Sequence, residues 1–171
     1  NRFDSTLRKS QLVRNIDDSD SSILNNDTTL LLQKVIAPTL NAANSFVLDF
    51  NNEILQEIPQ ADSTFVDGSA PVISTQFTFK TLTQCSLRDN GTGTLQVVKQ
   101  SNGAVQVVEP NIGSVDYKNG TVKVNALNVS SYTGAGITVS ANPMSSTLKS
   151  NKNIILSYNN TPTINIIQER V

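Results

Sequence analysis

The fold is decided by the stretch Ile112-Gly113-Ser114-Val115-Asp116-Tyr117-Lys118-Asn119-Gly120-Thr121-Val122-Lys123-Val124. Apolar and polar residues alternate in it on both sides of Asn119-Gly120, and a period of two is typical of a half-buried β-strand. Asn-Gly is also the preferred pair for a two-residue type I′ turn between antiparallel strands. The stretch therefore predicts a β-hairpin that turns at Asn119-Gly120.

The register of this hairpin follows from the position of its turn. The predicted cross-strand pairs are Tyr117 with Val122, Val115 with Val124, and Asp116 with Lys123. The third pair joins opposite charges, which is favourable between neighbouring strands. Turn chemistry and cross-strand pairing are independent features, and their agreement supports the hairpin.

The same pattern occurs upstream, around Asn102-Gly103. A two-residue turn there pairs Val98 with Val107 and Val97 with Val108, so that four valines meet across the strands. We therefore expect a second hairpin immediately before the first.

Further alternating or apolar stretches predict strands on both sides of these hairpins. They cover residues 28–36, 46–50, 73–79, 137–141, 153–158 and 163–169. Residues 51–72 form a long connection of the kind that often serves as a functional arm or lid. The predicted fold class is mainly β (α+β), with antiparallel, sandwich-like sheets and one N-terminal helix.

The one predicted helix covers residues 5–16. Asp4 or Ser5 can cap its first backbone N–H groups, and neither Gly nor Pro interrupts it. We expect the helix to end at the run of Asp and Ser at residues 17–22, because the apolar period changes from 3.6 to two after that run.

The apolar side chains of this helix fall on two opposite faces. At about 100° per residue, Leu12, Val13 and Ile16 share one face, whereas Phe3 and Leu7 point the other way. Either Phe3 precedes the helix and Leu7 is an ordinary exposed leucine, or the helix lies between its own domain and a second copy of the chain. We expect the second arrangement, with either cluster facing the second copy.

Helix and strands divide the chain into two parts. Residues 1–24 form the N-terminal helix and turn, where we expect a dimer contact, and residues 25–171 form the β-rich domain. That domain has two candidate lobes, residues 25–90 and 91–171. Since the chain begins at Asn1 rather than Met, we expect it to be a piece of a longer protein.

Charge and hydropathy exclude two classes of partner. The chain has 171 residues, with 13 Lys and Arg against 14 Asp and Glu, and a formal net charge of −1. It lacks the basic excess that holds a phosphate backbone, so we expect no nucleic-acid partner. No apolar run approaches the roughly 20 residues of a membrane helix, so we expect no membrane partner.

The residue types that carry most enzyme chemistry are missing. The chain has no histidine and one cysteine, Cys85, which removes Ser-His-Asp and Cys-His catalysis and most zinc sites. Asp18-Ser19-Asp20 resembles the start of a calcium loop, but Ile23 and Thr29 stand where that loop needs Gly and Glu. We expect no enzyme activity, metal, cofactor or small-molecule substrate, although the scattered carboxylates leave a glycosidase pair open.

Three stretches, in their order and spacing, resemble a known family. Residues 8–25 contain Lys-Ser-Gln-Leu-Val-Arg-Asn-Ile-Asp-Asp-Ser-Asp-Ser-Ser-Ile, residues 112–122 contain the hairpin above, and residues 137–166 end in Ile-rich strands. Together they resemble the C-terminal region of the large baseplate wedge subunit of T-even-type contractile-tailed bacteriophages. That family has a helix leading into an Ile-Asp-Asn-Ser-Asp-like turn, a later Ile-Gly-x-Ile-Asp-Tyr-x-x-Gly hairpin and a final Ile-rich strand.

This resemblance implies a structural virion protein of a phage tail baseplate. Wedge subunits of the family are non-enzymatic scaffold proteins that pair and join neighbouring wedges into a ring around the central hub. They also take part in the rearrangement that triggers sheath contraction. For this chain the resemblance implies a homodimer, contacts with other baseplate wedge proteins, and a place in the virion after assembly in the host cytoplasm.

The alternative is a secreted or surface β-sandwich module for adhesion or carbohydrate binding. Strands rich in Asn, Ser and Thr favour it. The absence of Trp and the presence of only three tyrosines count against it, because sugar sites usually use aromatic platforms. A defined oligomer in solution favours the baseplate protein, and a glycan-binding monomer favours the module.

Overall fold

The structure, a computed structural model, describes residues 6–21, 23, 26, 28–57, 70–101, 104–149 and 155–157. It is mainly β, with antiparallel sheets and one short helix, which confirms the predicted fold class. The elements in chain order are β1 (Thr6–Arg8), α1 (Lys9–Asp17), β2 (Leu31–Ile36), β3 (Ala43–Asp49), β4 (Val72–Ser74), β5 (Phe77–Phe79), β6 (Leu82–Asp89), β7 (Thr94–Ser101), β8 (Ala104–Asp116), β9 (Thr121–Tyr132), β10 (Ile137–Ala141), β11 (Thr147–Lys149) and β12 (Ile155–Ser157).

Five strands close into a ring, as in a small β-barrel. Their antiparallel pairings run from β5 through β6, β7, β8 and β9 and back to β5. Closure requires curvature, and bulges between β7 and β8 and between β5 and β9 supply it. Ala126, with a φ of 50°, lies in β9 between the part that pairs with β8 and the part that pairs with β5.

The other strands extend the sheet from this ring. β4 pairs with β6 and β10, β10 pairs with β2, and β2 pairs with β12, while β3 lies beside β9. β1 and β11 form a separate two-stranded sheet. Several pairs in the larger sheet join a strand of residues 25–90 to a strand of residues 91–171, as β2 with β10 and β3 with β9 do.

One hydrophobic core joins these strands. Its largest fully buried side chains are Phe50, Leu32, Leu87, Leu95, Leu127, Ile137, Leu148, Val72, Val97, Val122, Val124 and Val129. Cys85 belongs to the same core, and burial raises the pKa of its thiol. A buried thiol held in its neutral form packs as a small apolar group.

The first hairpin forms where the sequence predicts it, but the predicted register is wrong by two residues. Val115 lies opposite Val122, and residues 117–120 form the connecting loop. The Asp116 carboxylate accepts hydrogen bonds from the backbone N–H and the side-chain amide of Asn119, at 3.0 and 2.7 Å. This cap produces a four-residue loop in place of the type I′ turn. The structure does not contain the predicted pairs Tyr117 with Val122, Val115 with Val124 and Asp116 with Lys123.

The second hairpin keeps one of its two predicted pairs. Val98 lies opposite Val107 as predicted, whereas Val97 lies opposite Glu109. The register shifts between them, which makes the pair of Val97 with Val108 wrong. Pro110 follows, and proline lacks the N–H that a regular ladder needs, so a bulge is favoured here. The turn residues 102 and 103 lie outside the described residues.

The helix begins four residues later than predicted, at Lys9. The chain before it forms β1, because it pairs with β11 more than 130 residues away in the sequence. Arg8 is the N-cap residue in an extended conformation, and no side chain caps the helix. The cap predicted at Asp4 or Ser5 is therefore wrong, since the helix does not start beside them.

Other predicted segments need smaller corrections. The strand predicted over residues 73–79 is two short strands, β4 and β5, and the one predicted over residues 28–36 begins at Leu31. The connection predicted as an arm starts packed on the domain, since Ile54 is buried and pairs with Pro143. Its residues 58–69 and the strand predicted over residues 163–169 lie outside the described residues.

Candidate interaction surfaces

The two apolar clusters predicted for the helix lie on different elements. Leu7 is in β1, opposite Leu148, and packs against the hydrophobic core of its own domain. Leu12, Val13 and Ile16 are on α1. Phe3 lies outside the described residues. The structure therefore separates Leu7 from the other three residues and packs it, partly buried, against the core of its own domain.

The helix face of Leu12, Val13 and Ile16 is only half covered. No residue of α1 is buried, and all three of these side chains keep intermediate exposure. The opposite face is polar, with an exposed ion pair between Arg14 and Asp18 at 3.4 Å. Exposed pairs of this kind contribute little stability, so α1 has neither a buried apolar face nor a strong polar contact on its outer side.

Polar contacts hold α1 to the domain at both ends. At its start the backbone N–H of Lys9 donates to the carbonyl of Ser146 at 2.8 Å. Near its end the side-chain amide of Asn26 donates to the carbonyl of Val13, at 3.2 Å, and to the Asp17 carboxylate. The helix is thus fixed in place while its apolar face stays half exposed.

A buried carboxyl group joins three parts of the domain. Asp89, at the end of β6, accepts from the Tyr117 hydroxyl at 2.7 Å and from the backbone N–H of Val72 at 3.2 Å. The same hydroxyl accepts from the backbone N–H of Gly93 at 3.1 Å. Burial raises the pKa of Asp89, and burial together with the Asp89 carboxylate raises the pKa of Tyr117.

The burial of this contact favours a structural role over a catalytic one. Asp89 has an exposed fraction of 0%, so a substrate does not reach it. Tyr117 keeps its proton and acts as a hydrogen-bond donor that connects the first hairpin to β6. Sequence reasoning missed this contact because the two residues are 28 positions apart. No local pattern marked the contact, because Asp89 is one of several polar residues in β6.

The clefts on the described surface include one of about 510 Å³, lined by Asp49, Asn52, Lys118 and Thr121, and two smaller ones. One, of about 290 Å³, lies beside the start of α1 and is lined by Leu30, Leu55 and Pro143 with Lys9 and Ser146. The other, of about 200 Å³, is polar and lies beside β5 and the end of β9. Its lining includes Gln76, Thr78, Gln84, Ser131 and Tyr132.

Large apolar side chains also remain exposed outside the helix. They are Val35, Leu40, Val47, Val107 and Met144. Val47 is the most exposed of them, at 68%, and lies in the middle of β3. The alternation of Phe46 and Leu48 with Val47 was visible in the sequence, but the sequence did not show that β3 lies at an edge.

Two further properties concern the described residues alone. Among them, no three His, Cys, Asp or Glu side chains are grouped so that they could hold a metal ion. No helix there has the length and apolar character needed to cross a membrane.

Comparisons of the chain with protein-family models, curated protein sequences and solved structures find no match. The function proposed next therefore rests on the surfaces described above and on the motifs that resemble the wedge subunit.

Proposed function

We propose that the chain is a structural, non-enzymatic protein of a contractile phage tail baseplate. In this role it pairs with itself, joins neighbouring wedges into a ring around the hub and takes part in the rearrangement that triggers sheath contraction. The order of the three resembling stretches supports the baseplate. The observation that carries an assembly role is the half-exposed apolar face of α1.

A second protein surface would stabilise the short helix α1 and also bury its apolar side chains. α1 has nine residues, and isolated helices shorter than about 12–15 residues are marginal in water. Its half-covered Leu12, Val13 and Ile16 would each contribute about 1 kcal/mol on full burial. A partner groove that takes the apolar side of a short helix is a common mode of protein recognition.

The position of Leu7 supports one of the two clusters as the outward one in this proposal. Leu7 packs on its own domain through β1, so Leu12, Val13 and Ile16 are the residues left for a neighbouring chain. Burial of these three side chains against a neighbouring chain would add apolar contacts across the interface.

Sedimentation equilibrium tests the proposal on the full chain. We expect a weight-average mass above that of one copy, and a lower mass for the double variant Leu12→Ser with Ile16→Ser. The matched control is Gln11→Ser with Asn15→Ser, which has the same spacing on the exposed side of α1 and should leave the mass unchanged. A wild-type chain that stays monomeric at about 1 mM, where even weak specific pairing is visible, contradicts the proposal.

The polar cleft beside Tyr132 favours a second candidate, the carbohydrate-binding module. Its lining is uncharged and rich in amide and hydroxyl groups, which suit a neutral polyhydroxyl ligand. A glycan array decides between the two. Binding by a monomer that Tyr132→Ala abolishes supports the module, and an oligomer without glycan binding supports the baseplate protein.

A further inference from the structure

One edge of the sheet lacks a neighbouring strand among the described residues. β3 pairs with β9 there and with no other strand. The backbone N–H of Phe50 donates to Gly120 across this pair at 2.8 Å. Because alternate residues of a strand direct their backbone groups to opposite edges, those of Phe46 and Leu48 also point to β9. The N–H and C=O groups of Val47 therefore point to the free edge.

This edge carries few of the features that prevent strand pairing. Proteins usually protect an edge with lysine, proline, a bulge or a covering element. The sequence of β3, Ala-Asn-Ser-Phe-Val-Leu-Asp, contains no lysine, arginine or proline. A bulge lies between Asn44 and Phe46, but residues 46–49 pair regularly. In the middle of this regular part stands the 68%-exposed Val47.

We propose that β3 pairs with β3 of a second copy, antiparallel and about a two-fold axis at Val47. Both copies then exchange backbone hydrogen bonds at Val47, and the two valine side chains meet on one face. On the other face Phe46 lies opposite Leu48 of the second copy, which makes two apolar cross-strand pairs.

Charge makes the second copy a better occupant than a strand of unrelated sequence. In this register the only charged residue of the strand, Asp49, lies opposite Ser45 of the other copy, so no like charges meet. The arrangement is also closed, because a two-fold contact uses the same residues on both sides. It leaves the α1 face of each copy available for a neighbouring wedge.

The pairing itself rests on the sheet edge, whereas its role in a baseplate rests on the proposed function. A protein that pairs and also joins pairs into a ring needs two separate contact surfaces. β3 and α1 are two such surfaces, on different elements. Substitutions in β3 and substitutions in α1 therefore test separate contacts.

Amide hydrogen exchange at single-residue resolution tests the geometry. The N–H groups of Phe46 and Leu48 should be protected at every protein concentration, because they already bond to β9. The N–H of Val47 should exchange quickly in dilute protein and slow at least about tenfold as the dimer forms. A dimer in which Val47 exchanges as fast as in dilute protein overturns the inference.

Charge reversal at the two-fold axis tests the pairing of identical positions. Val47→Glu should raise the dissociation constant at least about tenfold, because two carboxylates meet across the axis. Within one copy the new carboxylate faces Lys123 of β9, so the fold stays intact by circular dichroism. Val47→Lys should weaken pairing in the same way, and an equal mixture of the two variants should restore the association of the wild type. Val47→Thr, which keeps the β-branched shape, is the control and should pair.

The outcomes separate this inference from the proposed function. Loss of pairing in both charged variants and its return in the mixture support β3 self-pairing. A mixture that associates no more than either variant alone, or charged variants that associate as strongly as the wild type, overturns it. Protection of the Val47 N–H in a monomer at all concentrations also overturns it, because another part of the same chain then covers the edge. None of these results changes the expected effect of substitutions on α1.

Discussion

Replacing Tyr117 by Phe removes one hydroxyl from the buried contact that joins three parts of the domain. That hydroxyl donates to Asp89 at 2.7 Å and accepts from the N–H of Gly93 at 3.1 Å. Asp89 is fully buried, and its other oxygen accepts from the N–H of Val72. The variant therefore loses one donor to a buried carboxyl oxygen and one acceptor for a backbone N–H.

The expected cost follows from these two losses. A buried polar group left without its partner costs about 1–3 kcal/mol, and the cost is at the upper end for groups that carry charge. The Asp89 oxygen is fully buried and the Gly93 N–H only partly so, which gives a total of about 2–3 kcal/mol. Domains of this size are stable by about 5–15 kcal/mol, so the effect should be easily measured.

Urea unfolding followed by circular dichroism measures the free energy of unfolding. With a slope of about 2–3 kcal/mol per molar urea, the midpoint should fall by about 1 M. Tyr132→Phe is the matched control, because the Tyr132 hydroxyl has no hydrogen-bond partner among the described residues. It should change the free energy of unfolding by less than about 0.5 kcal/mol.

A double-mutant cycle with Asp89→Asn tests the cause of the effect. If the contact is as described, Tyr117→Phe costs less in the Asp89→Asn background, because the buried carboxylate is already gone. Equal costs in both backgrounds, or a cost of Tyr117→Phe no larger than that of Tyr132→Phe, would refute the reasoning.

Three further predictions concern stability. The free energy of unfolding should fall as pH rises above 10, because Tyr117 ionises near 10.0 in the unfolded chain while burial and Asp89 raise its pKa in the folded protein. Urea titrations at several pH values measure this fall, and the contribution of Tyr117 to it should be absent in Tyr117→Phe. Gly113→Ala should cost about 3 kcal/mol or more, since its Cβ would lie 1.9 Å from a backbone oxygen of β9. Thermal unfolding measures this cost. The control is Gly134→Ala, whose Cβ meets open space and which should cost only about 1 kcal/mol for its φ of 80°. Leu7→Ser should destabilise the domain by about 1–2 kcal/mol in urea unfolding, because it packs on the core, and a cost as small as that of Leu12→Ser would contradict that placement.

Local sequence patterns predict the strands well because alternation and turn residues act over a few positions. The hairpin at residues 117–120 is the clearest case. Its turn lies where Asn-Gly predicts it, and a register shift of two leaves each residue on its predicted face of the sheet. The shift itself comes from the cap that Asp116 provides for Asn119, a side-chain contact that competes with the type I′ turn.

Contacts between distant parts of the chain explain the remaining differences. β1 replaces the first turn of the predicted helix because residues 147–149 offer it a strand partner. The contact of Asp89 with Tyr117 and the edge position of β3 depend in the same way on which strands meet. The helix face of Leu12, Val13 and Ile16 follows from its period, whereas the position of Leu7 in β1 depends on the pairing with β11.

The proposed baseplate role is tested most directly by looking for the chain in particles of a contractile-tailed phage whose genome contains its coding sequence. An antibody raised against the folded chain, with gold detection in the electron microscope, should label the baseplate end of purified contractile tails. Preincubation of the antibody with the chain should remove the label. Label confined to fibres or to the capsid, or tails that carry none while the chain is present in the lysate, would contradict the account.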